Sequence, residues 1–132
     1  MKFTIHPEEQ KDLLSITIEG EFDFNKVLNR AEELINAGYQ SGKKMILVDA
    51  INVKGNIATG QRYDLAEGLS KPYHSGMARN KFGLKIAVFT NESILSADRI
   101  EQTFIDNRSI LLKFFTSKKE AVKWLENGSN HL

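Results

Sequence analysis

The sequence predicts a single α/β domain, residues 1–132, with a mixed sheet and helices packed on it. Two apolar runs, Met45-Ile46-Leu47-Val48 and Ile86-Ala87-Val88-Phe89, do not alternate with polar residues. Each therefore reads as a strand buried on both faces, as in the centre of a sheet covered by helices. Helix-spaced apolar stripes stand between and around these runs, and an alternating segment precedes them. Strands alternating with helices imply right-handed crossovers and a largely parallel interior.

Taken in order, Leu14, Ile16 and Ile18 alternate with Ser15, Thr17 and Glu19, the period of a strand with one face in the core. The short run Phe3 to Ile5 reads as its hairpin partner, joined through Pro7 to Asp12. Phe24, Val27, Leu28, Ala31, Leu34 and Ile35 follow helical spacing, with Asp23 as N-cap and Gly38 just past the end. After the Met45 strand, Tyr63, Ala66, Leu69 and Tyr73 trace a second helical stripe that ends near Pro72. The stretch from Ser70 to Gly83, rich in Gly, Ser, Asn and charge, reads as a long loop. Ala97, Ile100 and Phe104 suggest a third helix, and Leu111 to Phe115 a strand. Ser117-Lys118-Lys119-Glu120 has the S-x-x-E form of a capping box, and Ala121, Val122, Trp124 and Leu125 form the face of the helix it opens, closed by Gly128. The expected order is β-β-α-β-α-β-α-β-α, with an N-terminal β-hairpin supplying an antiparallel edge.

Composition narrows the function. With 132 residues, 41% apolar and 27% charged, the chain can bury a substantial core. A formal net charge of +1 gives no basic excess to attract a phosphate backbone, so nucleic acid is not expected as a partner. The absence of cysteine removes disulfides, thiolate metal sites and cysteine nucleophiles together. Charged residues come too early for a signal peptide and no apolar run approaches a membrane span, so the expected setting is cytoplasmic.

The segment after the Met45 strand carries the candidate functional residues: Asp49, Asn52, Asn56, Thr59 and Gly60. Asp49 stands where open α/β sheets bind ligands, beyond the carboxyl end of a strand. It also suits the simpler task of accepting hydrogen bonds from the loop backbone near Asn52 to Gly55. A receiver-type phosphoacceptor role for Asp49 fails, because the acidic pair needed to hold a divalent cation is missing from Glu19-Gly20-Glu21-Phe22. Thr59 sits at the mouth of a helix, where its hydroxyl serves either as an N-cap or as a modification site. His6, His74 and His131 have no metal-ligand spacing, and Gly55-Asn56-Ile57-Ala58-Thr59-Gly60 lacks the lysine of a P-loop. No catalytic constellation, cofactor or metal is expected. Lys71, His74, Arg79, Lys81 and Lys85 with Tyr73 and Phe82 form the densest basic stretch, readable as an anion-gripping patch or as an ordinary charged loop whose aromatics tuck against the sheet.

The hairpin, the Val48-Asp49 strand end, the Ile57-Ala58-Thr59-Gly60 helix start and the closing Phe114 to Leu125 segment resemble the STAS-like, SpoIIAA-like proteins. More specifically, Phe115, Ala121, Trp124 and Leu125 fit an F-x-x-x-x-x-A-x-x-W-L ending common in the stand-alone bacterial STAS/SEC14-like branch. The resemblance implies a non-catalytic regulatory or ligand-binding module acting through a protein partner or a small apolar or anionic ligand. It also implies that the family's phosphoacceptor, a Ser or Thr before Gly at a helix start, falls on Thr59; Ile57 and Ala58 stand where its D-S-S-G motif has an acid and a first hydroxyl. The SEC14 side of the resemblance implies a pocket between helices and sheet. The lightly charged Phe3-Thr4-Ile5 edge adds the expectation of a homodimer.

Overall fold

A computed structural model describes residues 1–8 and 11–128. Five strands form one sheet in the order β1-β2-β3-β4-β5: β1 (Lys2–Glu8), β2 (Leu13–Glu21), β3 (Met45–Lys54), β4 (Lys85–Thr90) and β5 (Leu112–Phe115). The first pair is antiparallel, with Phe3 opposite Ile18 and Ile5 opposite Ile16; the remaining three pairs are parallel. The helices are α1 (Phe24–Ser41), α2 (Thr59–Asn80), α3 (Ile100–Asp106) and α4 (Lys118–Gly128). This is the element order that the sequence implies.

From β2 to β5 each new strand adds on the same side of the last. Right-handed crossovers then place every connecting helix on one face. Accordingly Ile35 and Tyr39 of α1, Ala66 and Tyr73 of α2 and Ile105 of α3 pack on Ile16, Ile46, Val48 and Ile86. Alternation sends Leu13, Leu47, Ala87 and Phe89 to the opposite face, where Ala121 and Leu125 of α4 cover them. Both central runs are thus buried on both faces, which is why neither alternates in sequence.

Asp23 caps α1, its Oδ1 accepting from the Lys26 N–H at 3.2 Å. The helix does not stop at Gly38. It runs to Ser41 and closes at Gly42, whose φ of 75° suits glycine. Gly38 instead lies inside the helix, where a Cβ would come within 2.6 Å of the Ile46 Cδ1, so its lack of a side chain sets the distance between α1 and β3. At the other end of the chain, Ser117 Oγ accepts from the Glu120 N–H at 3.3 Å and opens α4 as its S-x-x-E spacing implies.

The expected loop from Ser70 to Gly83 is helix: α2 continues through Pro72 to Asn80. Ala66, Leu69, Tyr73 and Met77 keep the apolar register across the proline and bury it against the core. Pro72 has no N–H for the carbonyl of Gly68, and having glycine at that position removes the side chain on the preceding turn. Tyr73 is almost wholly buried. Its hydroxyl donates to the Leu84 carbonyl at 2.7 Å, and the Tyr39 hydroxyl donates to the Tyr73 carbonyl at 2.8 Å. These bonds tie the C-terminal half of α2 to α1 and to the start of β4, and they outweigh the local preference of Ser, Pro, Gly and Asn for a turn.

Candidate functional site

β3 does not end at Asp49; it continues to Lys54. Between Thr17 and Glu19 of β2 the partner strand advances from Asp49 to Asn52, a β-bulge with one extra residue in β3. Asp49 Oδ1 accepts from the Ile51 N–H at 3.1 Å, an i to i+2 bond that orders this bulge. The backbone-ordering role expected of Asp49 is therefore present, with Ile51 as donor rather than a group between Asn52 and Gly55. Ala50 and Val53 point into the core while Ile51 and Asn52 are exposed between them. Asp49 has the parity of Leu47 and belongs to the α4 face, opposite the α1–α3 layer.

The β3–α2 connection, residues 55–58, turns at Gly55, whose φ is 114°. Asn52, Asn56, Thr59 and Gly60 are all exposed on it or beside it, and no hydrogen bond joins any of the five candidate residues to another. The N-cap of α2 is Ala58, in extended conformation, so Thr59 is the first helical residue and not the cap. Gln61 supplies half of a capping box, its Oε1 accepting from the Ala58 N–H at 2.9 Å. The first intrahelical bond is donated by the Arg62 N–H to the Ala58 carbonyl, which leaves the N–H groups of Thr59, Gly60 and Gln61 facing outward. The Thr59 hydroxyl makes no hydrogen bond among the described residues. An exposed hydroxyl beside open amides and the positive helix end is a setting that stabilises a phosphate.

The basic stretch is dispersed. His74 is partly buried in α2, with Nε2 2.8 Å from the Arg108 carbonyl, so it does not belong to a charged loop. Lys85 is buried on the α4 face, where its Nζ lies 4.5 Å from the centre of the Trp124 ring and donates to the Trp124 and Leu125 carbonyls at 2.5 and 3.1 Å. Burial lowers the Lys85 pKa. His6 is exposed on β1, and His131 lies outside the described residues. Among the described residues no group of three or more His, Cys, Asp or Glu side chains is placed to hold a metal ion, and no helix is long and apolar enough to cross a membrane.

An apolar concavity lies elsewhere. Between the α1–α3 layer and the sheet is a cavity of about 220 Å³. Its inner walls include Ile16, Ile46 and Val48 of the sheet and Ala31, Leu34 and Ala66 of the helices. At the carboxyl ends of the strands it reaches Met1, Phe22, Ile57 and Ile94. Among the described residues, the only charged side chains in the lining are Arg62 of α2 and Glu101 of α3, an ion pair 3.2 Å apart whose side chains are 10% and 7% exposed. Glu101 also accepts from the Ser96 N–H at 2.8 Å and from the Ser96 hydroxyl. Periodicity marked most of these residues as core but gave no sign of a space between them. Arg62 was missed altogether, and its recurrence at helical spacing with Leu65, Ala66 and Leu69 was the available signal.

The fold matches the crystal structure of an anti-sigma factor antagonist from Mycobacterium paratuberculosis, with a TM-score of 0.59 over 96% of this chain and 94% of that one, at 12% sequence identity. The architecture is thus STAS/SpoIIAA-like, as the hairpin and helix-start residues suggest. No family model matches the chain, and neither does any curated protein.

Proposed function

We propose that this chain is a single-domain, non-catalytic regulatory module of the cytoplasm that engages a protein partner through the β3–α2 connection and the first turn of α2. The observation that carries this reading is Thr59: an exposed hydroxyl on the first helical residue, engaged in no hydrogen bond among the described residues, beside three outward amides. Likeness to an anti-sigma factor antagonist supports it. Phosphate on Thr59 would gain charge-assisted bonds from those amides and add a double negative charge to the contact surface. Asn52, Asn56 and Gly60 supply the adjoining polar surface, and Asp49 keeps the bulge from which it projects. Because Thr59 is not the cap, Thr59→Ala, Thr59→Ser and Thr59→Asp should all melt close to the wild type. A pull-down from the native lysate should recover a partner with wild type and Thr59→Ser but not with Thr59→Asp. Equal recovery with all three would sink the switch.

A second reading rests on the cavity. Its size and its apolar walls suit a small apolar ligand held between helices and sheet, as the SEC14 side of the resemblance implies. Native mass spectrometry of the protein isolated from its own cells should show bound small-molecule mass, and a clean apo mass would count against it. Homodimerisation through the β1 edge is proposed on the same footing. The strand has an unpaired edge in this sheet, and Ile5 is exposed. Sedimentation giving the monomer mass at micromolar concentration would remove it.

A further inference from the structure

We infer that the cavity selects an uncharged ligand of about nine non-hydrogen atoms carrying one hydrogen-bond acceptor, and that Arg62 is the residue that recognises the acceptor. The inference rests on the reading of the cavity as a ligand site. The size follows by proportion: an apolar cavity of about 150 Å³ holds the six carbons of benzene, and this one measures about 220 Å³.

The polarity follows from the donors and acceptors on the wall. Among the described residues, three lining side chains are polar: Arg62, Thr90 and Glu101. Thr90 donates its hydroxyl proton to the Ala50 carbonyl at 2.8 Å. Glu101 has both oxygens engaged, Oε1 by Arg62 and the Ser96 N–H, Oε2 by the Ser96 hydroxyl. Arg62 differs. Its side chain is nine-tenths buried, yet it donates a single hydrogen bond, from Nη1 to Glu101. A guanidinium carries five N–H donors; the others have no protein partner among the described residues and none of them is sealed from water-sized space, so water or a ligand acceptor meets them.

The charge of the ligand follows from the pair. Arg62 and Glu101 neutralise each other inside an apolar wall. A ligand carboxylate would be stripped of water and placed beside Glu101, whose charge opposes it. A ligand ammonium would meet the same cost beside Arg62. A hydroxyl or carbonyl oxygen accepts from Arg62 without importing a charge. The chemical class is therefore a medium-length alcohol, ketone or ester, not a fatty acid anion or an amine.

The test uses three probes with one chain and three heads: 1-octanol, octanoate and octylammonium, each titrated calorimetrically into the full chain near neutral pH. The expected result is 1-octanol binding at least about tenfold more tightly than either ion. Tighter or equal binding of octanoate or octylammonium overturns the inference while leaving the cavity a ligand site. No binding of any of the three up to their solubility limits overturns both. Arg62→Met alone would strand Glu101, so the second arm is Arg62→Met combined with Glu101→Gln. This variant should lose about tenfold in 1-octanol affinity and its preference over the ions should shrink. Unchanged affinity and preference in a folded double variant would show that Arg62 reads no acceptor, and a misfolded variant leaves the decision to the wild-type comparison.

Discussion

Filling the hollow beneath α2 from the protein side should stabilise the fold and exclude the proposed ligand. Ala66 is the place to do so: it is almost fully buried, lies on α2 and lines the cavity. Ala66→Leu adds three carbons at little cost in helix propensity. At roughly 0.8 kcal/mol for each carbon removed from water, less the rotamer entropy of a buried Leu, the gain is about 2 kcal/mol. The unfolding entropy of a chain this long is about 0.28 kcal/mol/K, so Tm should rise by about 7 °C. Ala121→Leu is the paired control. Ala121 has the same chemistry and no exposure, but it packs in the closed layer under α4 and does not line the cavity. There the added carbons have no room, and a loss of about 1–3 kcal/mol is expected. Urea and thermal melts of the two variants, read beside 1-octanol titrations, form the assay. Opposite signs, with 1-octanol binding abolished only in Ala66→Leu, support the reasoning. Equal destabilisation would refute it, because the core beneath α2 would then be as full as the core beneath α4.

Two further outcomes follow from the α1–α2 contact. Burial raises the Tyr73 pKa from 10.0 to about 12 and moves Tyr39 the same way. The stability held by a neutral folded Tyr73 is complete below pH 10.0 and is lost as pH rises through about 12, because the unfolded phenol ionises first. Urea melts at several alkaline pH values should show a fall approaching about 2–3 kcal/mol, offset in part by Lys85, whose lowered pKa works in the opposite sense. Tyr73→Phe should be weaker at neutral pH, through loss of the bond to the Leu84 carbonyl, but flatter across this window; an unchanged slope would discharge Tyr73 as its source. Gly76→Ala should cost about 1–2 kcal/mol in chemical denaturation despite the better helix propensity of alanine, because the new Cβ would fall 2.3 Å from ring carbons of Tyr39. A gain in stability would show that α1 and α2 are free to separate.

How legible each element was depended on whether its signal was local. The β2 alternation, the Asp23 cap, the α1 stripe and the Ser117 start of α4 are written within a few residues of one another, and the structure carries them as read. The second half of α2 is not local in this sense. Ser70, Pro72, Ser75, Gly76 and Asn80 each favour a turn, and what overrides them is the docking of Tyr73 on Tyr39 and Leu84, residues far away in sequence. Gly76 even reverses its meaning. Read as a breaker, it is the place where the Tyr39 ring meets the α2 backbone. The same limit applies to the candidate site: Asp49 and Thr59 are legible as polar residues around a loop, but their assignment to a bulge and to a first helical position required the register of β2 against β3 and the cap at Ala58.

The cavity itself follows from topology acting on a few small side chains. A sheet that grows in one direction from β2 to β5 puts all three crossover helices on one face, and the third of them, α3, has only seven residues. At 1.5 Å per residue it is about 10 Å long, too short to cover the strands beside it, so the β4–α3 segment turns Ile94 and Leu95 inward to finish the layer. Beneath that junction Ala31, Ala50 and Ala66 line α1, β3 and α2, each truncated at Cβ. One larger residue at any of these positions would narrow the space. Three alanines on three facing elements leave it open, with an ion pair between α2 and α3 set in its wall. The fold supplies the short helix and the sequence supplies the alanines, and together they leave the space that the second reading fills with a ligand.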